Sequence, residues 1–555
     1  MTPHLSTIVD VARFGAERFP DCVALEATSG DGSLTYSQLW SRVQQAANAL
    51  RLRGLDRGSR VLLTAPASPD WLVAFFSLLH ADLVVVPIPD AIGPPLVAAV
   101  AAHTAARLCI VGPHQTALRR ALGGITCVTA GELTEAGGLG NQSALRDGGL
   151  GNQSALRDGG LADQSALRTD QLAILAFTSG STARPRAVEI SHANVLSNLR
   201  ALMAARQSTE PETVLSMLPP AHLYELVVGQ LAPLVIGGRI VYAGALLPNR
   251  LLNAIRDHGI TRALTVPALL DALCREVLTG LVERGVVRPA CQESSAVGIA
   301  MKLAQYTTED RERIRRAVRL QIGETFRAVG LGGAAIGPGW PDVLALVGIG
   351  LDVGYGLTEA GPLVTLGLAP DCPPGSVGRP LPGITIRIDR GGEILVRSEG
   401  TMRGYWGDVG ATTAALEDGW LHTGDRGVLD AAGHLYILGR LKEAMVTAAG
   451  DTLHPEEIEP YYSSRFFAEH CVVPMRGPDG NDLPALVIVP QRPEASDDEI
   501  EREFGELRAA APPRYRVATM VRRNAPLPRT LLGKLKRREL GQTLELNRDP
   551  RLAVI

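Results

Sequence analysis

Residues 171–187 read QLAILAFTSGSTARPRA and join an apolar run to a turn rich in glycine, serine and threonine. The run 171–177 predicts a buried strand. The turn after it presents backbone N–H groups and hydroxyls together, from Thr178, Ser179, Gly180, Ser181 and Thr182. Such a concave set of donors binds phosphate oxygens without net charge, and Arg186 would add a cation. The chain has no GxxxxGK[ST] pattern, so this is not a Walker A loop, and an ordinary surface loop is the alternative.

Strand and helix patterns alternate on both sides of this turn. The spacing of apolar residues predicts a helix over 36–52, a strand over 60–64, a helix over 71–80 and a strand over 83–87. The alternation resumes after residue 171 and continues to about residue 365. Strands joined by helices in this way predict right-handed βαβ units around parallel sheets, which is an α/β fold.

The pattern changes towards the end of the chain. Residues 366–440 form short segments bounded by Gly and Pro, which predict a small β-barrel subdomain, and the residues after them predict a small α+β domain. We therefore expect a large N-terminal domain over 1–441 and a separate small C-terminal domain over 442–555, joined near residues 439–443. A tandem repeat of GGLGNQSALRD runs through 137–168, its last copy altered, and predicts an expanded surface loop.

The composition argues against several classes of protein. The 555 residues contain 55 Lys and Arg against 58 Asp and Glu, so no basic excess points to nucleic acid as a partner. Mean hydropathy is only +0.10, and no apolar stretch approaches the roughly 20 residues that span a bilayer. The first residues lack a signal-peptide pattern, and the seven cysteines are scattered without a CxxC pair. We expect a reduced cytoplasmic protein without a zinc site, for which peripheral membrane contact stays open.

A second glycine-rich turn follows a predicted strand at residues 354–359, which read GYGLTE. Gly354 and Gly356 would let the backbone approach a flat ligand, on which Tyr355 can stack. Thr358 would donate to a phosphate, and Glu359 is a candidate Mg²⁺ ligand, because hard oxygen ligands beside phosphate suit that ion. A tight turn with an exposed glutamate is the alternative.

Two further motifs lie nearer the end of the chain. Residues 421–425 read LHTGD, and Asp425 would accept hydrogen bonds from both hydroxyls of a ribose. Arg440 follows fifteen residues later and would donate to the same sugar. Residues 528–537 read PRTLLGKLKR, in which Lys534 beside a glycine can reach into a neighbouring site. Taken alone, each motif is equally compatible with ordinary surface charge.

In order and content these motifs resemble the adenylate-forming superfamily, which includes acyl-CoA synthetases, adenylation domains of peptide synthetases and firefly-type luciferases. The family patterns TSGTTGxPKG, GYGxTE, GD with GR, and PxTxxGKxxR correspond to residues 178–187, 354–359, 424–425 with 439–440, and 528–537. Two more stretches look like the family's adenine loop and its loop beside the pantetheine path; they contain Gly332, Gly333, Ala334, Ala449 and Gly450. Residues 218–225, LPPAHLYE, are most similar to bacterial long-chain fatty acyl-CoA synthetases and place His222 near the substrate.

The resemblance implies a two-step reaction. A carboxylate attacks the α-phosphate of ATP, and the thiol of CoA or of carrier-protein phosphopantetheine then takes the acyl group. Lys534 would bridge the two anions in the first step, while the phosphate loop and Mg²⁺ on Glu359 hold the pyrophosphate. The C-terminal domain would then rotate about Lys442 and bring in the loop with Ala449 and Gly450 for the second step.

Three positions of the phosphate loop depart from the family pattern. Ala183 and Ala187 stand where glycine is usual, and Arg186 stands where lysine is usual. Arginine is longer and planar, so we expect a reshaped pyrophosphate site. The acid is left open between a fatty acid and an aryl acid, and the acceptor between CoA and a carrier protein. A non-catalytic acyl- or nucleotide-binding relative is a candidate of a different class.

Seven apolar residues on either side of residue 250 do not show whether the chain has a tunnel for the acyl chain of the acid. They suit an acyl tunnel and plain core equally well: Val227, Val228, Leu231, Leu234, Val266, Leu269 and Leu270. An amino-acid substrate would need a buried aspartate for its amine. The segment after the His222 motif offers no convincing one, and only Asp271 is left open for that role.

Overall fold

The computed structural model describes most of the chain, including most of the strands next to the predicted motifs. The described residues are 5–30, 32–113, 115–135, 169–178, 186–207, 210–291, 296–333, 339–446, 452–464, 466–476, 482–492, 494–529 and 535–546. The tandem repeat at 137–168 lies outside them.

The strands and helices follow one another closely through these residues. The strands are β1 (Val23–Ala27), β2 (Ser33–Thr35), β3 (Arg60–Thr64), β4 (Val84–Pro87), β5 (Leu108–Val111), β6 (Thr126–Val128), β7 (Leu172–Thr178), β8 (Arg186–Ser191), β9 (Thr213–Ser216), β10 (Arg239–Tyr242), β11 (Arg262–Thr265), β12 (Ala328–Leu331), β13 (Gly350–Tyr355), β14 (Thr365–Gly367), β15 (Arg379–Pro380), β16 (Thr385–Ile388), β17 (Glu393–Arg397), β18 (Gly404–Tyr405), β19 (Leu416–Glu417), β20 (Trp420–Leu429), β21 (Leu435–Arg440), β22 (Met445–Val446), β23 (Thr452–Leu453), β24 (Phe467–Arg476), β25 (Asp482–Pro490) and β26 (Thr519–Arg522). The α-helices are α1 (Val9–Arg18), α2 (Tyr36–Leu52), α3 (Pro69–His80), α4 (Pro94–Thr104), α5 (Thr116–Ala121), α6 (His192–Arg206), α7 (Ala232–Val235), α8 (Pro248–Asp257), α9 (Pro267–Glu283), α10 (Ala296–Ala304), α11 (Thr308–Ile322), α12 (Trp340–Val347), α13 (Val409–Ala415), α14 (Pro455–Ile458), α15 (Asp497–Ala510) and α16 (Arg537–Leu546).

Two large sheets form the N-terminal part of the molecule. One has seven strands in the order β18-β8-β7-β4-β3-β5-β6, and the other has nine in the order β15-β14-β13-β12-β11-β9-β10-β1-β2. Strands β7, β4, β3, β5 and β6 are parallel in the first, and β13, β12, β11, β9, β10 and β1 are parallel in the second. The α/β fold predicted from the alternation is therefore confirmed.

Local sequence explains the helices that cover these sheets. In α2 the Thr35 side chain accepts a hydrogen bond from the Gln38 backbone, and the Gln38 side chain accepts one from the Thr35 backbone. This reciprocal cap satisfies two N–H groups that a helix start leaves without partners. The buried side chains of α2 include Leu39, Val43 and Leu50, which recur at helical spacing and pack on the sheet side.

Smaller units follow the two large sheets. Strands β16, β17, β20, β19 and β21 form a five-stranded antiparallel sheet in the region where the sequence predicted a small β unit. A short turn, Leu441–Glu443, leads from it to the hairpin β22-β23 and to a three-stranded sheet, β24-β25-β26, with its own apolar core. The smaller α+β C-terminal domain is thus present, while its boundary after residue 441 stays a prediction. Among the helices described, none is both long enough and apolar enough to cross a membrane.

Candidate active site

The candidate site lies where the central strands of the nine-stranded sheet end. Strands β9, β11, β12 and β13 are parallel, so the segments that follow them meet at one edge of the sheet, the usual place for a ligand in such folds. A single cleft at this edge is lined by every sequence-predicted site residue that the structure describes. These residues are Thr178, Arg186, His222, Gly332, Gly333, Gly354, Tyr355, Gly356, Thr358, Glu359, Asp425, Arg440 and Lys442.

Some of the predicted site residues lie outside the described part of the chain. They are Ser179, Gly180, Ser181, Thr182, Ala334, Ala449, Gly450 and Lys534. The described residues Thr178, Arg186, Gly333 and Leu535 line the cleft.

Tyr355, Asp425 and Arg440 form a hydrogen-bonded group on one wall of the cleft. Asp425 and Arg440 are directly opposed on β20 and β21, and Arg440 Nε lies 2.7 Å from Asp425 Oδ1. The Tyr355 hydroxyl donates to the other carboxylate oxygen at 2.7 Å. Burial, and then the charge of Asp425, raise the pKa of Tyr355, so its hydroxyl stays a donor. Tyr355 and Arg440 therefore fix the orientation of the buried aspartate from two sides.

Glycine is needed at positions 354 and 356 for a different reason from the one that the sequence suggested. A Cβ on Gly356 would lie 1.8 Å from the carbonyl oxygen of Pro362, and one on Gly354 would lie 2.6 Å from Leu363 Cδ1. Both glycines therefore allow this chain's own segment at 362–363 to pack against the turn. The expectation that they make room for a ligand is not needed to explain them.

The sequence reasoning did not single out Tyr405, which also lines the cleft. Its hydroxyl donates to Glu359 Oε1 at 3.0 Å, and the guanidinium carbon of Arg186 lies 5.2 Å from its ring centroid. Arg186 Nε also lies 3.8 Å from Asp408 Oδ2. The sequence feature that could have pointed to Tyr405 is GYWGD at 404–408, where a tyrosine directly follows a glycine. The sequence reasoning gave this tyrosine no role.

Glu359 fits the role of an anchor for a magnesium–phosphate complex. Glu359 lines the same cleft as Thr178 and Thr358, so a carboxylate and two hydroxyl-bearing residues border one space. Among the described residues, no group of three or more His, Cys, Asp and Glu side chains is arranged to hold a metal ion by itself. Mg²⁺ suits this sparse arrangement, because it usually keeps several waters and takes one or two carboxylates together with substrate phosphates.

The last arginine of the tail motif is a second residue that the sequence reasoning left without a role. Arg537 lies 2.8 Å from Glu459 and 3.4 Å from both Glu443 and Glu456. Burial raises the pKa of Glu459, and the charge of Arg537 counteracts that rise. The arginine therefore ties the segment after Lys534 to the turn that contains Lys442 and to the start of the C-terminal domain.

A small apolar cavity lies next to the cleft. This cavity of about 70 Å³ is lined almost wholly by apolar side chains, most of them from α9, α10, α11 and α12, and Trp340 and Ile349 line both it and the cleft. Of the residues expected to form either tunnel or core, Leu270 lines the cavity, Val266 lines the cleft, and Val227, Leu231 and Leu234 belong to the buried main core.

Asp271 is engaged within the protein at the junction of the two spaces. Trp340 Nε1 donates to Asp271 Oδ1 at 2.8 Å, and Arg275 Nε donates to Asp271 Oδ2 at 2.8 Å. Arg275 also lies over the Trp340 ring, 5.7 Å from its centroid. Both carboxylate oxygens therefore have partners already, which argues against a primary role in binding a substrate amine.

Comparison with known proteins gives consistent matches along most of the chain. The family model described as AMP-binding enzyme matches residues 13–406. A feruloyl-CoA synthase from an Amycolatopsis species is 26% identical over 526 residues, which cover 92% of this chain and 94% of that protein. A long-chain-fatty-acid–CoA ligase from Mycobacterium bovis is 27% identical over 457 residues, covering 79% and 75%. In fold, the chain is similar to o-succinylbenzoate CoA synthetase from Bacillus subtilis in complex with its acyl-adenylate intermediate, with a TM-score of 0.75, 19% identity and coverage of 96% and 97%.

Proposed function

The chain belongs to the AMP-binding enzyme family, and from this premise we propose that it is an ATP-dependent acid–thiol ligase that adenylates a long-chain fatty acid and transfers the acyl group to CoA. The observation that carries the proposal is one large cleft lined by every described candidate site residue. Asp425 and Arg440 would bind the sugar there, and Thr178, Arg186 and Glu359 would hold the phosphates and the metal ion.

The first step joins two anions, and the chain's residues supply the balancing charge. A carboxylate oxygen of the acid forms a bond to the α-phosphorus, the bond to the bridging oxygen breaks, and pyrophosphate leaves. Lys534 would lie between carboxylate and α-phosphate, where a preorganised cation lowers the barrier most. Arg186 and the hydroxyls of Thr178 and Thr358 would hold the leaving pyrophosphate, and Mg²⁺ on Glu359 would neutralise part of its charge.

The second step replaces the adenylate with a thiol. The sulfur of CoA forms a bond to the acyl carbon, and AMP leaves with the electron pair of the broken carbon–oxygen bond. A rotation of the C-terminal domain about Lys442 would withdraw Lys534 and bring in the loop with Ala449 and Gly450. The exposed position of Lys442 on the short turn Leu441–Glu443 supports this hinge role.

The fatty-acid assignment is supported by the apolar cavity beside the acid end of the cleft. A cavity with almost no polar lining stays dry and takes up apolar groups, and this one shares Trp340 and Ile349 with the wall of the cleft. Its present volume accommodates a short run of methylene groups, so a long chain would also displace side chains. The similarity to a feruloyl-CoA synthase keeps an aryl acid as the second candidate.

Pyrophosphate exchange with a panel of acids tests the proposal directly. The panel contains straight-chain fatty acids of increasing length, ferulate and 4-coumarate, with and without CoA or a carrier protein in a second assay for thioester. We expect exchange to increase with chain length and the thioester to form on CoA. Exchange with the aryl acids alone would replace the fatty-acid assignment, and no exchange with any acid, beside a working control enzyme, would favour a non-catalytic binding protein.

A further inference from the structure

Tyr405 is held in place between the phosphate loop and the Glu359 turn. It ends the two-residue strand β18, which pairs with β8 at the end of that loop. On one side the Trp406 N–H donates to the Ala187 carbonyl at 2.8 Å, and on the other the Met402 N–H donates to the Glu359 carbonyl at 2.8 Å. Backbone hydrogen bonds therefore fix the position of Tyr405 relative to both segments.

Glu359 and Arg186 contact different parts of the Tyr405 side chain. The hydroxyl donates to Glu359 Oε1, and the ring face lies beneath the Arg186 guanidinium. We propose that Tyr405 is a positioning residue of the nucleotide site, whose hydroxyl orients the Glu359 carboxylate for a divalent cation and whose ring holds Arg186 for the phosphates. This inference rests on the proposed function, because it assumes that a metal–nucleotide complex binds between Arg186 and Glu359.

The chemistry of each contact favours this assignment. The Tyr405 hydroxyl donates to Glu359 Oε1 at 3.0 Å and so fixes one carboxylate oxygen. That bond leaves lone pairs of Glu359 for a metal ion. A planar guanidinium stacks on an aromatic face better than an ammonium does, which gives a reason for arginine at position 186, where related loops usually have lysine.

The test measures metal and nucleotide binding without turnover. Mn²⁺, which replaces Mg²⁺ and is visible by electron paramagnetic resonance, is titrated into the full-length protein with a non-hydrolysable ATP analogue and no acid. Tyr405→Phe keeps the ring and removes the hydroxyl, so we expect the Mn²⁺ dissociation constant to rise roughly tenfold. Binding of the analogue without metal should be unchanged in Tyr405→Phe and weaker in Tyr405→Leu, which lacks the ring.

A matched control variant and the wild-type protein show whether a negative result concerns Tyr405 or the proposed function as a whole. Tyr306→Phe removes a hydroxyl that contacts the Arg288 backbone, away from the cleft, and should change neither measurement. Melting temperatures identify any variant that is misfolded. Wild-type Mn²⁺ affinity in Tyr405→Phe would overturn the role of the hydroxyl, and equal analogue binding by Tyr405→Phe and Tyr405→Leu would overturn the role of the ring. A wild-type protein that binds no analogue would overturn the proposed function and this inference together.

Discussion

Gly439 and His454 are in contact across the junction between the five-stranded sheet and the C-terminal domain. A Cβ built on Gly439 would lie 2.6 Å from His454 Nδ1, and the glycine has a φ of +132°. Gly439 belongs to β21, and His454 directly precedes α14. The contact therefore depends on the present arrangement of the two domains, and it breaks if the C-terminal domain rotates about Lys442.

Gly439→Ala should shift the balance between the two half-reactions. The added methyl group would collide with His454 in this arrangement, so alanine should disfavour it relative to any arrangement in which the two residues are apart. We expect the ratio of adenylation rate to thioester-formation rate to change roughly tenfold, the effect of about 1.4 kcal/mol. Rapid-quench measurement of each half-reaction gives the ratio.

Gly433→Ala is the matched control for this change. Gly433 also has a positive φ, of +82°, but a Cβ there would meet no atom within 4 Å. Both substitutions carry backbone strain of about 1–2 kcal/mol, and only the first adds a collision. An unchanged ratio in Gly439→Ala would show that the contact does not distinguish the two arrangements.

Glu225 should make the stability of the protein depend on pH. It begins the π-helix Glu225–Leu231, is fully buried, and accepts hydrogen bonds on Oε1 from Ser216 and Gln230 at 2.7 and 2.9 Å. Its other carboxylate oxygen has no hydrogen-bond partner in the described structure, and burial raises its pKa to about 7. The folded state therefore binds this proton more tightly than the unfolded chain, so stability falls as pH rises from about 4.5 to about 7.

Glu225→Gln removes this titration with little change in shape. The loss of stability from this group between pH 5 and pH 8 is roughly 3 kcal/mol at most, and the amide should remove it. Urea unfolding midpoints at the two pH values measure the difference. Glu494→Gln, at an exposed position, is the control and should keep the wild-type difference between the two midpoints. If Glu225→Gln also kept that difference, Glu225 would not be the group responsible.

Much of the fold and of the candidate site followed from the sequence for a simple reason. Apolar spacing predicted the helix Tyr36–Leu52 and the strand Arg60–Thr64 with the bounds that the structure has. Because β12 and β13 are parallel neighbours, the segments that follow them, which begin with Gly332 and Gly356, meet at one edge of their sheet.

What the sequence did not predict depends on long-range pairing. Tyr405 reaches Glu359 because a two-residue strand pairs with β8, and no local pattern specifies so short a pairing. The need for glycine at 356 comes from the close approach of Pro362, and the burial of Glu225 comes from packing of a π-helix into the core. Each is a tertiary contact whose partners carry no periodic signal of their own.

Lys534→Ala should separate the two half-reactions. Lys534 itself lies outside the described residues, and its proposed role is confined to the adenylation step. We expect adenylation to fall on the order of 10²–10³-fold, with thioester formation from supplied acyl-adenylate nearly unchanged. Lys536→Ala is the control, since that side chain pairs with Glu539 on the same segment. Equal loss of both half-reactions in Lys534→Ala would contradict the assigned role.

Val277→Phe should reduce the maximum chain length of the acids that the protein activates. Val277 is a partly buried residue of α9 that lines the apolar cavity, so a larger side chain reduces the space beyond Trp340. We expect kcat/KM for long-chain acids to fall by roughly tenfold, while short acids, which end before the cavity, are activated as before. A series of saturated acids of increasing length measures this selectivity.

Val282→Phe controls for the cost of overpacking on the same helix. Val282 packs against the same apolar cluster without lining the cavity, and in both variants an added ring destabilises the fold by about 1–3 kcal/mol. A general loss of stability lowers activity for every acid alike, whereas a blocked cavity discriminates by length. If Val277→Phe and Val282→Phe lost activity equally across the series, the acyl chain would have to lie elsewhere, because no path through the cavity could then set chain length.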